Sequence, residues 1–205
     1  MSNVSRKARN SGIGRLLLAS LHQAIGDVLP MRLEFYEHWL RPGELHQGVM
    51  GRAPLSAVLG FLRTEPAYEQ VVARAGVCAS DWDRAGRSAF AVRAARALPL
   101  PLAARVALYA AGRLVRETTY GGRTRVTLLG EAGVVEIHGS VFCDVREPAQ
   151  HPFCGYYAAM ASRVLEHFGV DGAVRTDRCR GVGDPTCALA FRIRGRVPPG
   201  NEPQP

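Results

Sequence analysis

The sequence predicts an α+β fold: N-terminal helices, then an antiparallel sheet of two hairpins separated by a helix. Three observations predict it. The hydrophobic period changes near Tyr120 from the helical value to two. The alternating runs 123–129 and 134–141 flank Gly130-Glu-Ala-Gly133, which has the length and the glycines of a hairpin loop. Cys187, Leu189, Phe191 and Ile193 alternate with Ala188, Ala190, Arg192 and Arg194, and a turn rich in Gly181, Gly183, Asp184 and Pro185 separates them from the extended run 174–179.

The helical part, 13–118, reads in order. Ile13, Leu17, Leu21, Ile25 and Val28 form an apolar stripe that stops near Pro30. Leu33 to Leu40 is a short helix with Phe35, Tyr36 and Trp39 on one side, stopped by Arg41-Pro-Gly-Glu. Pro54 sits just inside a helix running to about Arg63. Thr64 is read as the cap of a helix from Glu65 to Ala75. Ser80 and Asp83 resemble a capping box for another reaching about Leu98. Leu102 to Arg116 is the next. After the first hairpin comes a loop with Cys143 and Pro148, then a helix from about Pro152 to Phe168 that Gly169 ends.

The chain of 205 residues fits a single domain at 13–196. Residues 1–12 read as a flexible basic N-terminus and 197–205, rich in proline, as a disordered tail. The net charge is +8, carried by arginines scattered along the sequence. A nucleic-acid footprint should be a stripe, so no nucleic-acid partner is expected. No secretory signal and no uncharged apolar run of about 18 residues occurs, so the chain reads as cytoplasmic, without a membrane span.

Chemistry concentrates in the cysteines. Cys179 and Cys187 stand on either side of the second hairpin turn, and Cys154 opens the preceding helix in His-Pro-Phe-Cys-Gly-Tyr-Tyr. Three sulfurs can therefore meet, as a metal site or as buried thiols packing like small hydrophobes. Over residues 134–194 these motifs, Cys-Gly-Tyr-Tyr and Gly-Asp-Pro-Thr-Cys, resemble the 4-vinyl reductase (4VR) domain. That family shares its fold with the small TRAPP vesicle-tethering subunits. The resemblance implies a TRAPP-like, ligand-binding architecture, a sensor role and a homodimer. It also implies a zinc site. In zinc-bearing relatives three cysteines and a glutamate hold the ion. Cys154, Cys179 and Cys187 match the cysteines, while Thr176 stands where the glutamate would be. Cys143, or else Asp177, is then the fourth ligand. A site with four protein ligands has no open position, so the zinc would be structural.

The histidines carry no recognisable catalytic motif. His167, at a helix end, sits where a cation is favoured. No metalloprotease, nucleophile-elbow, P-loop or dinucleotide signature occurs, and no residue is assigned a catalytic role. The aromatic residues Phe35, Tyr36, Trp39, Tyr109, Tyr156 and Tyr157 are either ordinary core or, as the resemblance implies, the walls of a pocket for a small hydrophobic molecule. The reading is a non-enzymatic ligand-binding or regulatory scaffold module, dimeric, with a regulatory protein as a further partner. The alternative is a tetrapyrrole vinyl reductase or its accessory subunit. That needs a reductant, and the chain has no recognisable nicotinamide or flavin site.

Overall fold

The structure, a computed structural model, describes residues 13–40, 49–120, 123–145 and 147–197. The expected basic arm at 1–12 and all of the tail beyond Val197 lie outside the described residues. The order is β1 (Ile13–Gly14), α1 (Arg15–Val28), a 3-10 turn, α2 (Leu33–Leu40), β2 (Val49–Met50), α3 (Arg52–Leu62), α4 (Tyr68–Ala85), α5 (Ala89–Ala97) and α6 (Leu100–Glu117). The sheet half follows: β3 (Arg123–Leu129), β4 (Ala132–His138), α7 (Gly155–His167), β5 (Val170–Arg178) and β6 (Cys187–Arg196). This is the α+β order that the change of period predicts.

β3 pairs with β4 and β5 with β6, and β4 joins β6, giving one antiparallel sheet in the order β3-β4-β6-β5. Strand side chains alternate between faces. Val135, Ile137, Leu189, Phe191 and Ile193 point to the helices and are buried. Their neighbours Ala132, Val134, Ala190 and Arg192 are exposed or half-buried on the other face.

α7 is the central helix, packed on β5, α4 and α6. Tyr156, Tyr157, Met160 and Val164 fill that junction. Close approach to α4 depends on Gly76, where a Cβ would lie 2.3 Å from the Tyr156 carbonyl oxygen. α1 packs on the far side of α4 through Leu17, Leu21 and Ile25. No helix among the described residues is long and apolar enough to cross a membrane.

Two helix starts differ from the sequence expectation. α4 begins at Tyr68, not Glu65, because Pro66 disfavours helix at the residue before it. Thr64 instead closes α3, its hydroxyl donating to the Phe61 carbonyl at 2.7 Å. Ser80 does not start a helix: α4 runs through it to Ala85, and the next begins at Ala89. The Ser80 hydroxyl is buried and lies 3.4 Å from His167 Nδ1, so a tertiary contact takes the place of a cap. Ile13 belongs to β1, paired with Met50, rather than to the stripe of α1.

Candidate metal centre

Four elements bring four cysteines together. Cys179 follows β5, Cys187 opens β6, Cys154 is the residue before α7, and Cys143 lies in the loop after β4. Their four Sγ atoms lie within 4.8 Å of one another, and all four residues are buried. Cys143 Sγ is 3.3 Å from both Cys154 Sγ and Cys179 Sγ, and the latter two are 3.6 Å apart. A tetrahedral ion bound at about 2.3 Å would set sulfurs about 3.8 Å apart, so the group fits zinc with small side-chain shifts.

The hairpin turn is built for this. After Cys179 a single 3-10 turn, Arg180–Val182, ends at Gly183, whose φ of +103° suits glycine alone. Asp184 then turns back, its carboxylate accepting from the Cys179 backbone N–H at 2.7 Å. This is the work of the Gly-Asp pair in the motif. The Ala149 N–H donates to the Gly181 carbonyl at 2.7 Å and ties the preceding loop to the turn.

The sulfurs also accept backbone donors. Phe153 N–H points to Cys179 Sγ and Arg180 N–H to Cys187 Sγ, each at 3.4 Å. Such bonds favour the thiolate, the form that binds metal. Hydrogen bonds from Cys143, then Cys154 and Cys187, hold Cys179 well below the usual thiol range. Hydrogen bonds from Cys143 and Cys154 also lower Cys187, against the opposing effects of Cys179 and burial. Cys154 is pushed up by Cys143, Cys179 and Cys187 and by burial. The bond with Cys154 pulls Cys143 down, but Cys179, Cys187 and burial outweigh it and push it up. Four thiolates in one buried space need a cation to ionise together.

Cys143 is placed by the helical half. Arg52 of α3 makes two bonds to Asp144, at 2.9 and 2.7 Å, and Ser56 adds a third at 3.4 Å. Arg63 donates to the Phe142 carbonyl at 2.9 Å and lies over the Phe153 ring, 5.0 Å from its centroid. None of these partners was marked by the sequence: the contacts span about 80 to 90 residues and carry no local pattern. Asp177 stands outside the sulfur group, with Arg175 and Arg178 as its neighbours. Thr176 also lies outside it, lining a shallow cleft with Glu69, His151 and Gly155.

With this geometry the chain can be set beside known proteins. No family model and no curated protein sequence matches it. Solved structures do. One is the phenol-responsive sensory domain of the transcription activator PoxR, crystallised with phenol. It is 17% identical, with a TM-score of 0.50 over 70% of this chain and 75% of that one. Another is an H-NOX protein from S. oneidensis, 12% identical, with a TM-score of 0.53 over 94% of this chain and 100% of that one. A trafficking protein particle complex subunit 3 from Naegleria fowleri, covalently bound to palmitic acid, is 14% identical with a TM-score of 0.44, over 70% of this chain and 84% of that one. The likeness is one of fold.

The six aromatic residues singled out in the sequence do not share one wall. Phe35 and Trp39 lie with Phe61 of α3 in a partly exposed group, with ring centroids 5.3 to 6.4 Å apart. Tyr36 is buried behind them, its hydroxyl donating to Glu65 at 3.3 Å. Tyr109 is exposed on α6 beside Val126 and Leu128. Tyr156 and Tyr157 pack against Phe142, stacked at 4.9 Å and edge-on at 5.5 Å, in the core beneath the cysteines. Tyr157 donates to the Thr118 carbonyl at 3.2 Å, and the Tyr156 hydroxyl lies 3.5 Å from that of Ser20.

His167 does not carry the charge expected at a helix end. Burial lowers its pKa to about 4, so near neutrality its contact with Asp81 at 2.9 Å is a hydrogen bond from a neutral ring.

Proposed function

We propose that this domain is a non-enzymatic small-molecule sensing or regulatory module of the 4VR type, stapled by one structural zinc ion on Cys143, Cys154, Cys179 and Cys187. The observation that supports it most directly is the meeting of four buried sulfurs within 4.8 Å. Four thiolates satisfy zinc and leave no position for a substrate. The ion's part is to join the hairpin mouth, the start of α7 and the Cys143 loop. Cys143 replaces the glutamate that Thr176 cannot supply.

The ligand class is aromatic or otherwise hydrophobic. Phe35 and Trp39 with Phe61 offer the partly exposed aromatic surface for it, backed by buried Tyr36. Phe61 is two residues from Arg63, which holds the loop carrying Cys143. A ligand that shifts α2 against α3 thus acts on the metal loop. The protein works as a cytoplasmic homodimer and passes its state to a regulatory partner.

Native mass spectrometry with metal analysis tests the core of this reading. One zinc per chain is expected, lost in Cys179→Ser. A wild-type protein that refolds without metal and takes none up would reject it. For the ligand, Trp39 fluorescence should respond saturably to simple phenols, and Trp39→Phe should abolish that response. An unchanged signal in the variant would remove this surface from the proposal.

A further inference from the structure

The helices cover one face of the sheet, and among the described residues no element packs on the other. That outer face holds a groove of about 510 Å³. Its floor is made of small residues: Ala132 and Val134 of β4, Ala190 of β6 and Ala173 of β5. Thr127 and Leu129 of β3 form one bank. The scattered arginines of the sequence come together around it. Alternation along β3, β5 and β6 puts Arg123, Arg125, Arg175, Arg192 and Arg194 on or beside this face, and the bulge between Thr176 and Arg178 turns Arg178 to it as well. Arg178, Arg194 and Arg175 have carboxylate neighbours in Glu136, Asp171 and Asp177. Arg123, Arg125 and Arg192 are exposed and pair with no carboxylate among the described residues.

We propose that this face docks an acidic amphipathic helix of a partner polypeptide, its apolar ridge in the groove and its carboxylates on the unpaired arginines. The mode is that of a helix laid in an apolar groove, with charge setting register and partner choice. A second copy of the chain does not fit, because a two-fold contact would set arginines against arginines. A membrane surface would meet a recessed floor of alanines instead of protruding bulky side chains. Single-stranded nucleic acid needs aromatic platforms for its bases, and the outward-facing positions of these strands hold no Phe, Tyr or Trp.

The test uses the intact protein and a fluorescent helical peptide with an Ala/Leu stripe flanked by glutamates, beside a lysine-flanked counterpart. Anisotropy titrations should show saturable binding of the glutamate peptide only. Binding should weaken at least about tenfold in Arg125→Glu/Arg192→Glu. Thr127→Arg, exposed on the bank of the groove, adds positive charge but obstructs the ridge, and should weaken binding too. Melting curves of both variants should match the wild type, since all three positions are exposed. Equal binding of the two peptides, an unchanged affinity in the double variant, or tighter binding by Thr127→Arg would overturn the proposal. So would phosphatidylserine vesicles or a single-stranded oligonucleotide that bind more tightly than the peptide through the same arginines.

Discussion

Cys179 and Cys143 are held by different devices, and each device predicts a different response to substitution. Cys179 sits in the hairpin turn with its backbone N–H on Asp184 and its sulfur under the Phe153 N–H. Replacing it with serine should lower the melting temperature by about 10 °C or more and release the ion, because metal binding is coupled to folding. A strong chelator should shift the wild type by a similar amount and leave Cys179→Ser unmoved. If the cluster were packing alone, the substitution would cost about 1–2 kcal/mol, a few degrees, and the chelator would do nothing. Cys143 depends instead on the Arg52–Asp144 pair, which is partly exposed, so its bonds are worth little by themselves. Arg52→Ala should leave the fold intact within about 1 kcal/mol yet speed zinc loss to a chelator, since it frees only the loop. Unchanged release kinetics would show that the loop holds its position without the clamp.

Among the elements, the contact of α4 with α7 is where opposing effects can be weighed. Alanine is favoured over glycine in a helix interior by about 1 kcal/mol. At Gly76 a Cβ would come within 2.3 Å of Tyr156 O and 2.9 Å of Met160 N, both backbone atoms that cannot rotate away. The clash should win, and Gly76→Ala should destabilise by about 2 kcal/mol or more in denaturant titration. Farther along the same contact, buried His167 bonds Asp81, which Arg163 also holds at 2.7 Å. The ring's pKa is about 4 when folded and about 6.5 when unfolded, so between those values the unfolded chain binds the extra proton. Stability should be full above about pH 6.5, fall as the pH drops towards 4, and lose a few kcal/mol over that window. His167→Gln should flatten the slope, and a slope that persisted would assign it to other groups. This contact also shows where the sequence misleads. Ser80 and Asp83 carry a good local cap pattern, but His167, about 87 residues away, decides what Ser80 bonds. The strands were legible because alternation and turn glycines are local signals, as at Gly183. The order β3-β4-β6-β5 was not, because nothing local says which hairpin edges meet.

At the scale of the whole molecule, the site joins the two halves of the chain. The hairpin and the α7 cysteines could be read from spacing and resemblance. The fourth sulfur could be named only as one of two candidates, because a loop's return path leaves no periodic trace. The aromatic residues were least legible, since a tyrosine in the core and one at a ligand surface look alike in sequence until their neighbours are known. What the fold leaves uncovered gives a last test. On α6, Leu102, Val106 and Tyr109 stand at i, i+4 and i+7, so they share one face, and they are 47%, 40% and 61% exposed. An apolar stripe on a surface helix calls for a partner, and the commonest closed solution is a two-fold pair in which the same face meets itself. The wild type should sediment as a dimer at tens of micromolar, an order-of-magnitude choice above typical specific dissociation constants. Val106→Glu would bring two carboxylates together at the centre of such a contact, so it should sediment as a monomer with an unchanged circular dichroism spectrum. A dimer that survived Val106→Glu would place the interface elsewhere, and a monomeric wild type would end the homodimer proposal.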